Sequence, residues 1–186
     1  MQRGYFGVGV ESSSKLRNAG ALLRTTHAFG GSFFFMLAPH ISTAEVRKID
    51  TSAGMDGLPV YDWDSPEDMA LPTGCQLVGV ELTEESIDLP TFRHPRRAAY
   101  ILGPEKGSLS PAMQARCNYI IKIPMSFCIN VAQAGAIVMY DRMISLGRFA
   151  ERPVRVGAPT EELKPHIHGG RFSRKGRKAR QDANEG

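Results

Sequence analysis

From Gly4 to Leu146 the chain alternates short apolar runs with stretches of helical spacing. Gly4 to Val10, Ser32 to Leu37, Leu58 to Trp63, Gln76 to Leu82, Arg97 to Leu102 and Asn118 to Ile123 read as strands. Asn18 to Phe29, Ala44 to Ile49, Ser110 to Cys117 and Asn130 to Leu146 read as helices. Gly30-Gly31 stops the first helix. Ser65-Pro66-Glu67-Asp68 reads as the start of a further short helix, with Ser65 as N-cap and Pro66 at the first position, and Ser110-Pro111 repeats that signal. In the last helix Ala132, Ala136, Met139, Met143 and Leu146 share one face. Strands separated by helices predict an α/β fold with a mainly parallel sheet flanked by helices. In such sheets ligands bind beyond the carboxyl ends of the strands.

Two loops fall at such ends. Ile123-Pro124-Met125-Ser126-Phe127-Cys128-Ile129-Asn130-Val131-Ala132 compresses a strand end, a proline-fixed turn, an asparagine and small residues opening a helix. It offers a backbone surface where a flat ligand can lie. Leu102-Gly103-Pro104-Glu105-Lys106-Gly107-Ser108-Leu109-Ser110 is bounded by Gly103 and Gly107, which permit close backbone approach or positive φ. Taken alone it reads first as an ordinary strand-to-helix turn. It lacks the lysine spacing of a P-loop, and Gly7-Val8-Gly9 lacks the third glycine of a dinucleotide fingerprint. Asn18 sits at the predicted helix start and Arg24 under two turns later. Asn18 is open to reading as a plain N-cap and Arg24 as a solvated residue; the functional reading gives the Arg24 fork a phosphate to hold.

Composition narrows the classes. The chain has 186 residues, enough for one well-buried domain and too few for two large ones. No apolar run approaches the roughly 20 residues of a membrane span, and the N-terminus lacks a signal-peptide core, so a soluble protein is expected. The three cysteines, Cys75, Cys117 and Cys128, include no Cys-x-x-Cys pair, which fits a reducing cytoplasm and argues against a disulfide framework or zinc site. The five histidines form no metal-ligand pattern, and no metal is expected.

The net charge of +4 is unevenly placed. Up to Leu163 there are 16 Lys+Arg against 17 Asp+Glu, whereas Lys164 to Gly186 hold 7 against 2. The basic character is therefore assigned to the tail, including Arg174, Lys175, Arg177 and Lys178. Such a tail is either an electrostatic arm for nucleic acid or a solvated, solubilising end. The expected organisation is a domain over residues 1–150 and an extension over 151–186.

Three segments together resemble the SPOUT superfamily of RNA methyltransferases, in its SpoU/TrmH-like branch. They are Asn18-Ala19-Gly20-Ala21-Leu22-Leu23-Arg24-Thr25 with Phe29-Gly30, then Leu102 to Ser110, then Ile123-Pro124-Met125 with Cys128-Ile129-Asn130-Val131. The resemblance implies a C-terminal trefoil knot, a homodimer whose active site uses both chains, and S-adenosylmethionine as cofactor. It assigns the cofactor to Val80, Leu102, Gly103, Ile123, Met125, Cys128, Ile129 and Ala132. It implies methyl transfer to a ribose 2′-hydroxyl of RNA, tRNA favoured over rRNA, with Arg24, Asn18, Glu105 and Asn130 as catalytic positions. RNA contacts fall to Arg24 and to Arg174, Lys175, Arg177 and Lys178 of the tail. Arginine keeps its proton in proteins, so Arg24 is expected to grip a phosphate and stabilise a developing alkoxide rather than act as a base. Cys128 stands where the family commonly has serine, a weaker hydrogen-bond partner of the same size. The alternative expectation is a non-catalytic RNA-binding protein of the same fold.

Overall fold

The computed structural model describes residues 4–49, 58–104 and 107–147, with positions 149, 152, 156 and 157. The chain divides into two units, Met1–Arg148 and Phe149–Gly186. The first is a seven-stranded sheet with helices on both faces. Its elements in chain order are β1 (Tyr5–Glu11), α1 (Leu16–Ala28), β2 (Phe33–Leu37), α2 (Thr43–Ile49), β3 (Val60–Trp63), β4 (Gln76–Val80), β5 (Ile87–Asp88), β6 (Arg97–Leu102), α3 (Pro111–Arg116), β7 (Tyr119–Lys122) and α4 (Val131–Leu146). A 3-10 turn, Leu89–Thr91, precedes β6. The strand order is β3-β2-β1-β6-β4-β7-β5 and every pairing is parallel.

Both faces of the central strands are covered, which explains their continuous apolar runs. In β2, Phe34 and Met36 pack with Val8, Val10, Leu22 and Leu23 on the α1/α4 side. Phe33, Phe35 and Leu37 point the other way, to Leu77, Ala99, Ile101 and Met113 beside α3. Each fully buried side chain of this size is worth about 1.5–3 kcal/mol. The glycines of β1 have a packing role: Gly7 and Gly9 pair with Phe33 and Phe35, and a Cβ at either would lie 2.2 Å and 2.4 Å from those rings.

Several expectations change. Asn18 is the third residue of α1 and not its cap; Lys15 occupies the N-cap and makes no side-chain cap bond. Gly30 does end α1, at φ +77, with the Gly30 and Gly31 N–H groups donating to His27 and Thr26 carbonyls. Ser65 accepts from the Asp68 N–H at 3.3 Å, but residues 66–68 form a turn only. Strand β4 stops at Val80, and the two-residue β5 had no readable pattern. Helix α4 buries Val131, Gly135, Val138, Met139 and Arg142, leaving Met143 and Leu146 exposed. It is apolar on several sides, so periodicity could not choose among them. The choice falls to fit: a Cβ on Gly135 would meet Leu22 Cδ1 at 2.3 Å, so this small residue marks the close approach of α1 and α4. Among the described residues no helix is long and apolar enough to cross a membrane.

At the far end of α4 a buried polar network fastens the helix to the sheet. His94 Nε2 donates to Asp141 Oδ2 (2.9 Å), and Nδ1 accepts from the Tyr100 hydroxyl (2.6 Å). That hydroxyl accepts from Arg142 (3.1 Å), whose other donors reach the carbonyls of Pro95 (2.5 Å) and Arg96 (2.9 Å). The tautomer follows from satisfying all three side chains.

Candidate active site

The carboxyl ends of β4, β6 and β7 open onto a cleft of about 410 Å³. Its walls include Val80, Leu102, Gly103, Ile123, Met125, Cys128 and Ile129. Seven of the eight residues expected to meet a cofactor thus line one space. Ala132 does not: it is the second residue of α4, and its N–H donates to Asn130 Oδ1 at 2.8 Å. Val131 and Ala134 line the cleft in that region instead.

The polar positions separate. Asn18 and Asn130 line the cleft together, and Asn130 Nδ2 donates to Asn18 Oδ1 at 2.9 Å. Asn130 also caps α4, so one side chain starts the helix and ties it to α1. Arg24 is elsewhere. It lies on the exposed side of α1, rotated about 120° from Asn18 and about 9 Å along the axis, outside the cleft lining. Glu105 and the tail residues Arg174, Lys175, Arg177 and Lys178 lie outside the described residues.

Sequence reading missed the two carboxylates that hold the Gly103–Ser110 loop. Strands β1 and β4 flank β6; Glu11 is the last residue of β1 and Glu81 directly follows β4 at this edge. Glu81 Oε2 accepts from the Leu109 N–H at 2.7 Å, while its Oε1 accepts from the Leu82 N–H at 2.9 Å. On the other side, buried Glu11 accepts from the Ser110 N–H (2.7 Å) and hydroxyl (2.5 Å). The Ser110 oxygen also accepts from the Met113 N–H and so caps α3. Both acids follow apolar strand residues, but only the strand order brings them to one loop. Gly103 is confined as well: a Cβ there would lie 3.1 Å from the Leu109 nitrogen and 3.3 Å from Glu81 Oε2. Lys15, at the N-cap of α1, is a further lining residue that the sequence did not single out.

These residues suit a flat, uncharged ring with a polar chain attached. Val80, Leu102, Ile123, Met125 and Ile129 supply apolar contact. Residues 123–130 belong to neither strand nor helix, which leaves peptide groups outside any ladder to meet ring edges. Among the described residues no group of three or more His, Cys, Asp and Glu side chains is placed to hold a metal ion. The cysteines differ in setting. Burial pushes the Cys117 thiol up to about 12, whereas Cys128 is exposed on the cleft wall.

The profile of the SpoU rRNA Methylase family matches residues 6–140, so the chain belongs to that family. No curated protein matches the chain in sequence. Among solved structures, the SpoU methyltransferase AviRb from Streptomyces viridochromogenes, in complex with AdoMet, superposes with a TM-score of 0.65 at 23% identity, covering 78% of this chain and 63% of that one. The TrmH/SpoU tRNA modifying enzyme of A. aeolicus gives 0.63 at 20% identity, over 77% and 76% of the two chains. A protein solved in work on 2-OH methylation of C/U34 on tRNA gives 0.61 at 23% identity, over 78% and 98%. The chain spans 60% and 63% of the length of the two AviRb chains.

Proposed function

We propose that this protein transfers a methyl group from S-adenosylmethionine to a ribose 2′-hydroxyl of RNA, with tRNA favoured as substrate. The observation that carries the reading is the cleft: loops after β6 and β7 and the Asn18–Asn130 pair converge on one space, in a chain of the SpoU methylase family. Val80, Leu102, Gly103, Ile123, Met125, Cys128 and Ile129 would hold the cofactor, which supplies an activated methyl on sulfonium. The chain's own contribution is placement and charge. Glu11 and Glu81 keep the Gly103–Ser110 loop in shape. Asn130 and Asn18 present amide groups to the ribose, and holding a hydroxyl in line for transfer supplies much of the rate.

Arg24 is assigned to the phosphate and the developing alkoxide. Its position outside its own cleft supports a homodimer in which it serves the partner's cleft. The apolar residues exposed on α4, Ile137, Tyr140, Met143, Ile144 and Leu146, support the same assembly. A trefoil knot at the C-terminal end of the domain, Glu105 as an orienting carboxylate, the basic tail as an RNA arm and a cytoplasmic location complete the proposal. Cys128 would contribute through its backbone and thiol surface rather than a hydroxyl.

The test is incubation with labelled S-adenosylmethionine and total RNA, followed by nucleoside separation. A labelled 2′-O-methyl nucleoside is expected, and Arg24→Ala should abolish it while cofactor binding persists. Full activity of that variant would remove Arg24 from the mechanism. No calorimetric binding of S-adenosylmethionine or S-adenosylhomocysteine at millimolar concentration would favour an RNA-binding protein without activity.

A further inference from the structure

The tail is not the chain's only basic stretch of sequence. Between Glu11 and Glu45 there is no Asp or Glu, although the whole chain carries 19. That acid-free stretch holds Lys15, Arg17 and Arg24, and its central element is α1. Arg17 and Arg24 are seven residues apart, about two turns and about 10.5 Å along the axis, so they stand in one row. Ala21 and Ala28 fall in the same row, and all four residues are exposed. The row lies opposite the face that buries Ala19, Leu22, Leu23 and Thr26. Among the described residues Lys15, Arg17 and Arg24 make no ion pair. Lys15 continues the positive charge from the start of the helix into the cleft wall.

We infer that this face of α1 is a track for the phosphodiester backbone of RNA, with Arg17 as a phosphate-holding residue beside Arg24 and Lys15 at the cleft end. The inference rests on the methyl-transfer reading and extends its substrate site. Arginine forks at two-turn spacing grip separate phosphates, and Ala21 between them and Ala28 beyond Arg24 let a strand approach the helix closely. A helix free of carboxylates along that row has nothing to repel the strand. Lys15 shares its cleft with the proposed sulfonium, and two cations there are compatible when an anionic phosphate oxygen lies between them.

The experiment uses the full chain, fluorophore-labelled total tRNA and total rRNA as probes, and equilibrium titrations from low to high salt. Arg17→Ala should lower affinity about 3–10-fold near 0.1 M salt and reduce the slope of log K against log salt by about 0.7–0.9. Arg17→Lys should keep the slope, and S-adenosylmethionine affinity should not change in either variant. Affinity and slope equal to wild type in Arg17→Ala would overturn the track, as would failure of the wild type to bind either RNA pool. The same pools incubated with labelled donor separate the two ideas. Arg17-dependent binding without any methyl transfer by the wild type would overturn the enzymatic reading and keep the track. Methyl transfer with Arg17-independent binding would do the reverse.

Discussion

Asn130 Nδ2 donates to Asn18 Oδ1 across 2.9 Å, linking residues 112 positions apart in sequence. The same amide's oxygen accepts from Ala132 and starts α4. One side chain therefore sets the start of a helix and its distance from another helix, at the wall of the cleft.

Asn130→Ala should remove both bonds. Loss of the cap costs about 1 kcal/mol, and loss of the tether about 0.5–1.5 kcal/mol. Asn18→Ala should remove the tether and leave the cap, and Asn130→Ser should keep the cap. Thermal unfolding of the three variants would rank them, and equal midpoints for Asn18→Ala and Asn130→Ala would contradict the double role.

The carboxylate pair makes a second prediction. Glu11→Gln replaces an acceptor of two Ser110 bonds with a donor on one side, in a buried position, and should cost about 1–3 kcal/mol. Glu81 is partly exposed, so Glu81→Gln should leave the fold intact and loosen the loop through Leu109. A several-fold rise in the dissociation constant for S-adenosylhomocysteine is expected by calorimetry. An unchanged constant would mean that the loop holds its shape without Glu81.

The network around Tyr100 predicts stability losses at both ends of the pH scale. Burial lowers the His94 pKa below 6.5, and the hydrogen bond to Asp141 offsets this only in part. The folded state keeps His94 neutral while the unfolded chain takes a proton. This contribution is intact above pH 6.5 and is lost as pH falls through the lower folded value. For Tyr100 burial pushes the pKa up from 10 to about 12, so the folded state keeps a proton that the unfolded chain releases. That contribution is intact below pH 10 and is lost as pH rises to about 12. Denaturant melts across pH should show both declines, and His94→Gln should flatten only the acid one. An unaltered acid limb in that variant would assign the loss to other groups.

Gly9→Val tests the seat of Phe35. The new side chain would collide with a ring that is fully buried, at a site with no room to repack, and overpacking of this kind costs about 1–3 kcal/mol. A midpoint at or above wild type would show that the β1–β2 pair tolerates bulk there.

Alkylation distinguishes the cysteines. At pH 8 iodoacetamide should modify exposed Cys128 readily and leave Cys117, with its raised pKa, nearly untouched. S-adenosylhomocysteine should slow the reaction at Cys128. Peptide mapping that finds Cys128 equally reactive with and without it would place the ligand away from this wall.

The strands and the main helices were legible because apolar runs and cap residues are local signals. Ser110 and Asn130 cap their helices as the residue types suggest, and the loops after β6 and β7 lie at the sheet edge that a parallel fold prescribes. What the sequence hid was relational. Glu81 reads as an ordinary acid until β4 is known to neighbour β6, and Gly7 and Gly9 read as a failed nucleotide signature until Phe33 and Phe35 are laid over them. The buried side of α4 was not legible because hydrophobic residues surround that helix and the close contact with Leu22 selects Gly135. Arg24 falls outside the cleft because six residues of helix turn it away from Asn18, a fact available from spacing alone.

The strand order also sets a timetable. β1 pairs on one side with β2, its near neighbour in sequence, and on the other with β6, whose Arg97 sits against Tyr5. A ribosome needs on the order of 5–20 s to make about 90 residues between those partners. During that interval β1, β2 and β3 can assemble around α1, but β1 keeps one open edge, the kind of edge that recruits stray strands. The cleft, built from the ends of β4, β6 and β7, closes last. A slow translation step placed before Arg97 should therefore lower soluble yield more than the same pause placed after Leu146, even though the finished molecule is identical.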